Sequence, residues 1–166
     1  NKSGSDSYVA FVNFLVSANL LTSISTVSYT QLILSSSNKD LDVVNQQVSS
    51  AIYFAAIVSV VGGLAVYYGP IFSYDEFSIF AVISYSFANS ILTLIGASYS
   101  ARLANSTAGL VNFVSYALAY GVSLVALTLN GPVRFVLILL SLTLLFFGLI
   151  FYLNSGLKVI DFRAFK

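Results

Sequence analysis

The chain has 166 residues, of which 58% are hydrophobic and only 8% charged, against about 25% charged in an ordinary soluble domain. Seven Lys and Arg against six Asp and Glu leave a net charge of +1, which excludes the concentrated basic face that nucleic-acid binding needs. Cys and His are absent, so disulfides, thiolate metal sites and imidazole chemistry are excluded. Met is absent too, even at position 1, and a chain that is processed, truncated or not translated from its own start is expected. Asn1 to Ser7 are polar and do not form a signal peptide.

The spacing of the charges sets the fold class. Five stretches carry none: 7–38, 43–74, 77–101, 103–133 and 135–157. A helix needs ~20 apolar residues to cross ~30 Å of hydrocarbon at ~1.5 Å per residue, and each stretch is long enough. Strands of a membrane barrel would alternate with period two, and 135–152 does not. The chain is therefore predicted to be all-α, a single multi-pass bundle of about five transmembrane helices over residues 1–166.

The first helix is predicted over 8–35. Asn19, Thr22, Ser23, Thr26 and Thr30 fall on one face at helical spacing. Ser37-Asn38-Lys39-Asp40 fits a hydroxyl-x-x-acid cap for the second helix, predicted over 41–68. That helix carries Ser49, Ala56, Gly63 and Tyr67 on a common face and stops at Gly69-Pro70. Gly62-Gly63, half-way along, has two readings: a close-packing notch or a hinge. The third helix, over 74–101, opens on Ser73-Tyr74-Asp75-Glu76, whose acids complement the helix dipole. It carries Ser86, Asn89, Thr93, Gly96 and Ser100 in a row. The fourth, over 106–129, has Asn105 and Ser106 as caps and Asn112, Ser115, Ala119 and Ser123 on one side. Asn130-Gly131-Pro132 is a turn that makes Pro132 the first residue of the fifth helix, 132–154. Val136 to Phe147 is nearly all Leu, Ile, Val and Phe, with only Ser141 and Thr143 polar. This helix is expected to face lipid or a hydrophobic partner over most of its surface.

The polar rows have two readings. Small and hydroxyl-bearing residues let helices approach and hydrogen-bond across the seam. Asn19, Thr22, Thr26, Asn89, Thr93, Asn112 and Ser115 form either such a packing stripe or a polar path lined by Asn19, Asn89 and Asn112, since an unpaired amide in hydrocarbon is costly and must face protein or water. Tyr8, Tyr67, Tyr68, Tyr74 and Tyr152 fall at run ends, where amphipathic rings suit a membrane interface. Tyr53, Tyr85 and Tyr116 lie deeper and need hydrogen-bond partners.

Reactive groups are missing from the spans. No Asp, Glu, Lys, Arg or His sits mid-span, where proton relays and ion-coupled antiport usually place one. Asp75-Glu76 reads as a cap rather than a catalytic pair, and Asp40 with Asp42 as a solvated loop rather than a cation site. Neither an enzyme nor a cofactor or metal is expected. Asn1-Lys2-Ser3 and Asn105-Ser106-Thr107 match the glycosylation sequon. With five spans, Lys2 and Arg134 share one side, and Lys39, Arg102, Lys158, Arg163 and Lys166 the other. The positive-inside rule then puts the N-terminus outside, and the C-terminus with Asn105 in the cytoplasm.

One resemblance bears on function. Leu21 to Tyr68 gives a polar helix, a Ser/Asn/Lys/Asp loop and a long helix closing in Gly69-Pro70. It resembles the second and third helices of polysaccharide flippases of the multidrug/oligosaccharidyl-lipid/polysaccharide superfamily. Phe77 to Tyr152 resembles the three helices that follow. The likeness covers most of this chain and about a third of a typical member. Members begin in the cytoplasm, so their second helix starts outside, as the charge asymmetry has it here. Their transport cavity is often cationic, whereas no Arg or Lys lies mid-helix in this chain. The resemblance implies transport of lipid-linked or polar solutes by a partial bundle. The other reading is a non-catalytic accessory subunit of a larger membrane complex. Expected partners are membrane lipids, with further copies of the chain or other membrane subunits.

Overall fold

A computed structural model describes residues 2–35, 41–68, 76–102, 105–129 and 132–155. They form five helices, with no strand among the described residues: α1 (Lys2–Leu34), α2 (Leu41–Tyr68), α3 (Glu76–Ala101), α4 (Asn105–Thr128) and α5 (Val133–Asn154). Each holds a segment long and apolar enough to cross a membrane. The chain is an integral membrane protein, a multi-pass bundle of helices whose backbone groups are satisfied internally, as lipid requires.

The expected boundaries hold to within a residue or two except at the start. α1 begins at Lys2, not near residue 8, and its 33 residues extend ~50 Å, well beyond the hydrocarbon. Loss of hydropathy marks the edge of the membrane, not the end of a helix. Pro132 is the N-cap of α5 rather than its first helical residue. Its φ of −58° and ψ of 140° are those of an extended residue, and its carbonyl accepts from Val136 N at 3.2 Å. The expected caps and stops at 37–40, 69–75 and 130–131, Tyr74, and the cations Lys39, Lys158, Arg163 and Lys166 lie outside the described residues.

Pairings between helices fix the topology. Thr22 and Ser25 of α1 meet Ser86 and Ser90 of α3, both numbers rising together, so these helices run parallel. Ser141 meets Ala81, and Gly148 meets Ala88 and Ile91, so α5 is parallel to α3 as well. Tyr85 meets Tyr120 while Gly96 meets Asn112, so α4 runs the other way. Helices therefore alternate up and down. α3 is the hub: it packs on all four others, whereas α1 packs on α2, α4 on α5, and α1 and α4 do not pack against each other.

Composition explains why α3 is central. Ala81, Ser86, Ala88, Ser90, Ala97, Ser98 and Ala101 are all buried, and small side chains let several neighbours approach one axis. Two-thirds of its span is buried (67%), against 22–39% for the other four. α5 does keep most of its surface outward, yet one face is committed. Leu137, Ser141, Leu144 and Gly148 recur at helical spacing and are buried against the core. The helix most open to the surroundings is α4, at 22%.

α2 runs unbroken through Gly62-Gly63, which favours the notch over the hinge. A Cβ on Gly62 would collide with the Leu21 Cδ2 of α1, and one on Gly63 with the Ile83 Cγ1 of α3. The first obstacle is the free end of a Leu side chain; the second is the stem of a β-branched one, stiff in a helix. Replacing Gly by Ala within a helix gains about 1 kcal/mol of propensity, while overpacking costs about 1–3 kcal/mol. Gly62→Ala should therefore be close to neutral and Gly63→Ala clearly destabilising in thermal unfolding of the detergent-solubilised protein. Equal loss at both positions would contradict this packing.

Candidate functional site

The polar residues of α1, α3 and α4 converge on the cleft that opens because α1 and α4 do not pack together. Asn89 on α3 spans it. Its Nδ2 points at Asn19 Oδ1 and at Thr22 Oγ1 of α1, 3.4 Å from each. Its Oδ1 accepts from the Tyr116 hydroxyl of α4. Thr22 is itself fixed, donating to Ala18 O at 2.9 Å with Ser86 O at 3.3 Å as a second acceptor. One amide thus ties three helices together. One helical turn away, Tyr85 and Tyr120 share a hydroxyl–hydroxyl bond of 3.2 Å. The Tyr116 and Tyr120 rings stack at 6.4 Å.

These tyrosines divide the cleft into two grooves of opposite character. Towards the C-terminal end of α1 lies an open groove of about 360 Å³. Thr30, Thr93, Ser100, Asn112 and Tyr116 give it polarity, and Gly96 and Gly109 give it room. Two polar atoms of the groove residues are left over: Thr30 Oγ1 and Asn112 Oδ1 are buried without a hydrogen-bond partner. Towards the N-terminal end of α1 lies a groove of about 420 Å³. Phe11, Tyr120, Leu124, Leu127, Val136 and Leu140 make it almost wholly apolar.

Most of the residues singled out from the sequence meet here. Asn19, Thr22 and Asn89 are bonded together, and Thr93 and Asn112 line the polar groove. Thr93 keeps its own hydroxyl on Asn89 O (2.8 Å), and Thr26 its hydroxyl on Thr22 O (2.8 Å). Ser115 departs from the expected path. It is fully buried and donates to Val111 O within its own helix at 2.7 Å. The single row expected on α4 is in fact two: Ser115, Ala119 and Ser123 form a buried row whose last member also lines the apolar groove, whereas Asn112, Tyr116 and Tyr120 form the row along the cleft. Ser23, expected on the α1 stripe, is exposed, and Ser25 takes the inward place, bonded to Ser90 at 2.8 Å.

Tyr116 and Tyr120 are the cleft residues that sequence reasoning misses as a pair. Their spacing of four from each other and from Asn112 is the available signal. Tyr85 and Tyr116 do find the partners that their depth demands. No family model, curated protein or solved structure matches the chain.

Interhelical hydrogen bonds within membranes contribute ~0.6 kcal/mol on average and ~1.7 kcal/mol at most. Tyr116→Phe removes one bond and should cost about 0.6 kcal/mol; Asn89→Ala removes three and should cost about 1–2 kcal/mol. Reversible unfolding in mixed micelles of both single variants and the double variant measures their coupling. A positive coupling is expected, and strict additivity would mean that the two side chains do not bond.

Proposed function

We propose that this protein binds an amphipathic solute in the α1–α4 cleft and moves it across the membrane, as the polysaccharide flippases that it resembles do. The observation that carries the reading is the two-sided character of the cleft. On one side of the tyrosine pair lies a groove whose lining residues Thr30 and Asn112 carry unpaired polar atoms, and on the other a groove lined by Leu, Val and Phe. A molecule with a hydroxyl-rich head and a hydrocarbon tail satisfies both halves at once. The head supplies donors to Asn112 Oδ1 and Thr30 Oγ1, and the tail exchanges its lipid surroundings for Leu124, Leu127 and Leu140. A neutral head suits this groove, since none of its lining residues is charged. On the orientation that the Lys and Arg asymmetry favours, the polar groove opens towards the cytoplasm. Further copies of the chain or other membrane subunits would complete the path.

The test is translocation of a labelled glycolipid with an uncharged oligosaccharide head by the protein reconstituted in vesicles. Gly109 sits on the polar groove, and a Cβ built there meets no atom within 4 Å. Gly109→Leu therefore has free space at its Cβ, adds bulk to the groove and gains about 1 kcal/mol of helix propensity. Translocation should fall at least about tenfold, the equivalent of ~1.4 kcal/mol, while thermal stability holds or rises. An inactive wild type that is monomeric, with its cleft sealed, would overturn the reading. So would a Gly109→Leu variant as active as the wild type.

A further inference from the structure

We propose that Arg102 is a binding site for a phosphate group at the membrane surface, supplied by a phospholipid headgroup. Arg102 directly follows the span Ile79–Ala101, and the span of α5 ends at Asn154, so both helices leave the hydrocarbon at one edge. There the Arg102 Nη1 donates to Ser155 O at 2.9 Å, at the carbonyl end of α5 where the helix dipole favours a cation. The Arg102 backbone is held as well, its N–H donating to Tyr99 O at 3.1 Å.

The other edge of the guanidinium has no partner. Nε and Nη2 are both buried and neither makes a hydrogen bond. In the planar guanidinium these two nitrogens direct their N–H groups side by side, the fork that takes two oxygens of one phosphate or carboxylate. The charge cannot be shed, because a guanidinium stays protonated. A buried charged donor without an acceptor is among the costliest arrangements a fold can hold, so an oxyanion is the partner that this edge selects. The side chain as a whole is only half-buried, at the end of the span where headgroups lie. Ser155 thus positions Arg102, and the phosphate completes its hydrogen bonding.

Native mass spectrometry of the full chain in mild detergent tests this with two lipids of identical tails: dioleoyl phosphatidylglycerol, which has the phosphate, and dioleoylglycerol, which lacks it. The wild type should retain the first and not the second. Arg102→Lys keeps the charge but loses the fork, and should weaken retention about tenfold. Equal retention by wild type and Arg102→Lys, or equal retention of the two lipids, would overturn the proposal. Millimolar inorganic phosphate is the third arm, and its displacing the lipid entirely would reject the headgroup as the source. Should Arg102→Lys fail to fold, the arginine Nε resonances of the wild-type protein decide, assigned by Arg134→Lys and Arg163→Lys. The Arg102 Nε proton must shift and exchange more slowly on addition of phosphatidylglycerol, and an unchanged signal would reject the site.

Discussion

Surrounded by lipid, these helices gain little from hiding apolar side chains from one another, because acyl chains are as oily as Leu. What holds the bundle is the close approach of backbones to α3, together with the few polar bonds that cross between helices. The hydroxyls of α3 make that approach possible without leaving orphan groups. Ser90 donates to Ser86 O, Ser98 to Ile95 O and Thr93 to Asn89 O, each within its own helix. A serine tied back in this way is both small and satisfied, so several can line one axis and still be compatible with lipid. Bonds that leave the helix then act as register pins. Ser25–Ser90 and Thr22 to Ser86 O lock α1, and Ser141 to Ala81 O at 3.0 Å locks α5.

Amides behave differently from hydroxyls in this setting. A carboxamide has two donors and two acceptor sites and cannot satisfy them all on its own helix, so it must reach a neighbour or a solute. Asn89 reaches both flanking helices, and this draws α1 and α4 to α3 without bringing them together. Asn112 lies over Gly96, where a Cβ would come within 3.1 Å of its Nδ2, while its Oδ1 stays unpaired. The glycine makes room for the amide, and the amide gives the groove its polarity. The cleft thus follows from placing three side chains too polar for lipid on three different helices.

Helix number, order and extent are legible in the charge-free runs, because the cost of a charge in hydrocarbon punctuates the chain directly. The polar row of α3 is equally legible, since Asn89, Thr93, Gly96 and Ser100 follow the helical period and do line one side. What periodicity cannot supply is which of two rows three residues apart meets which neighbour. Asn112 and Ser115 differ by about 60° around α4. That angle separates a groove residue from a core residue, and it depends on how the helix is rotated against α3. The inward face of α5 is hidden for another reason: a Leu row looks the same whether it meets lipid or protein. Only Ser141 and Gly148, small residues seven apart, distinguish that face.

The same energetics decide which wall of the cleft moves most easily. α1 is held on two sides, by α2 through Leu21 against Gly62 and by α3 through Thr22 and Ser25. α5 is pinned to α3 by Ser141 and by the close approach at Gly148. α4 has neither kind of lock on its outer side: Gly121 has no neighbour, and Leu110, Phe113 and Val125 face outward. Moving a whole helix breaks no backbone hydrogen bonds, and acyl chains fill in wherever apolar side chains separate, so area contributes little to the cost. The bonds of Tyr116 and Tyr120 are then the main restraint between α3 and α4. At ~0.6 kcal/mol each they sum to about 1.2 kcal/mol, a little under the 1.4 kcal/mol that makes a factor of ten. A solute that offered the two tyrosines and Asn89 equivalent hydrogen bonds would offset that restraint, and the spans hold no Asp, Glu, Lys, Arg or His that would add to it.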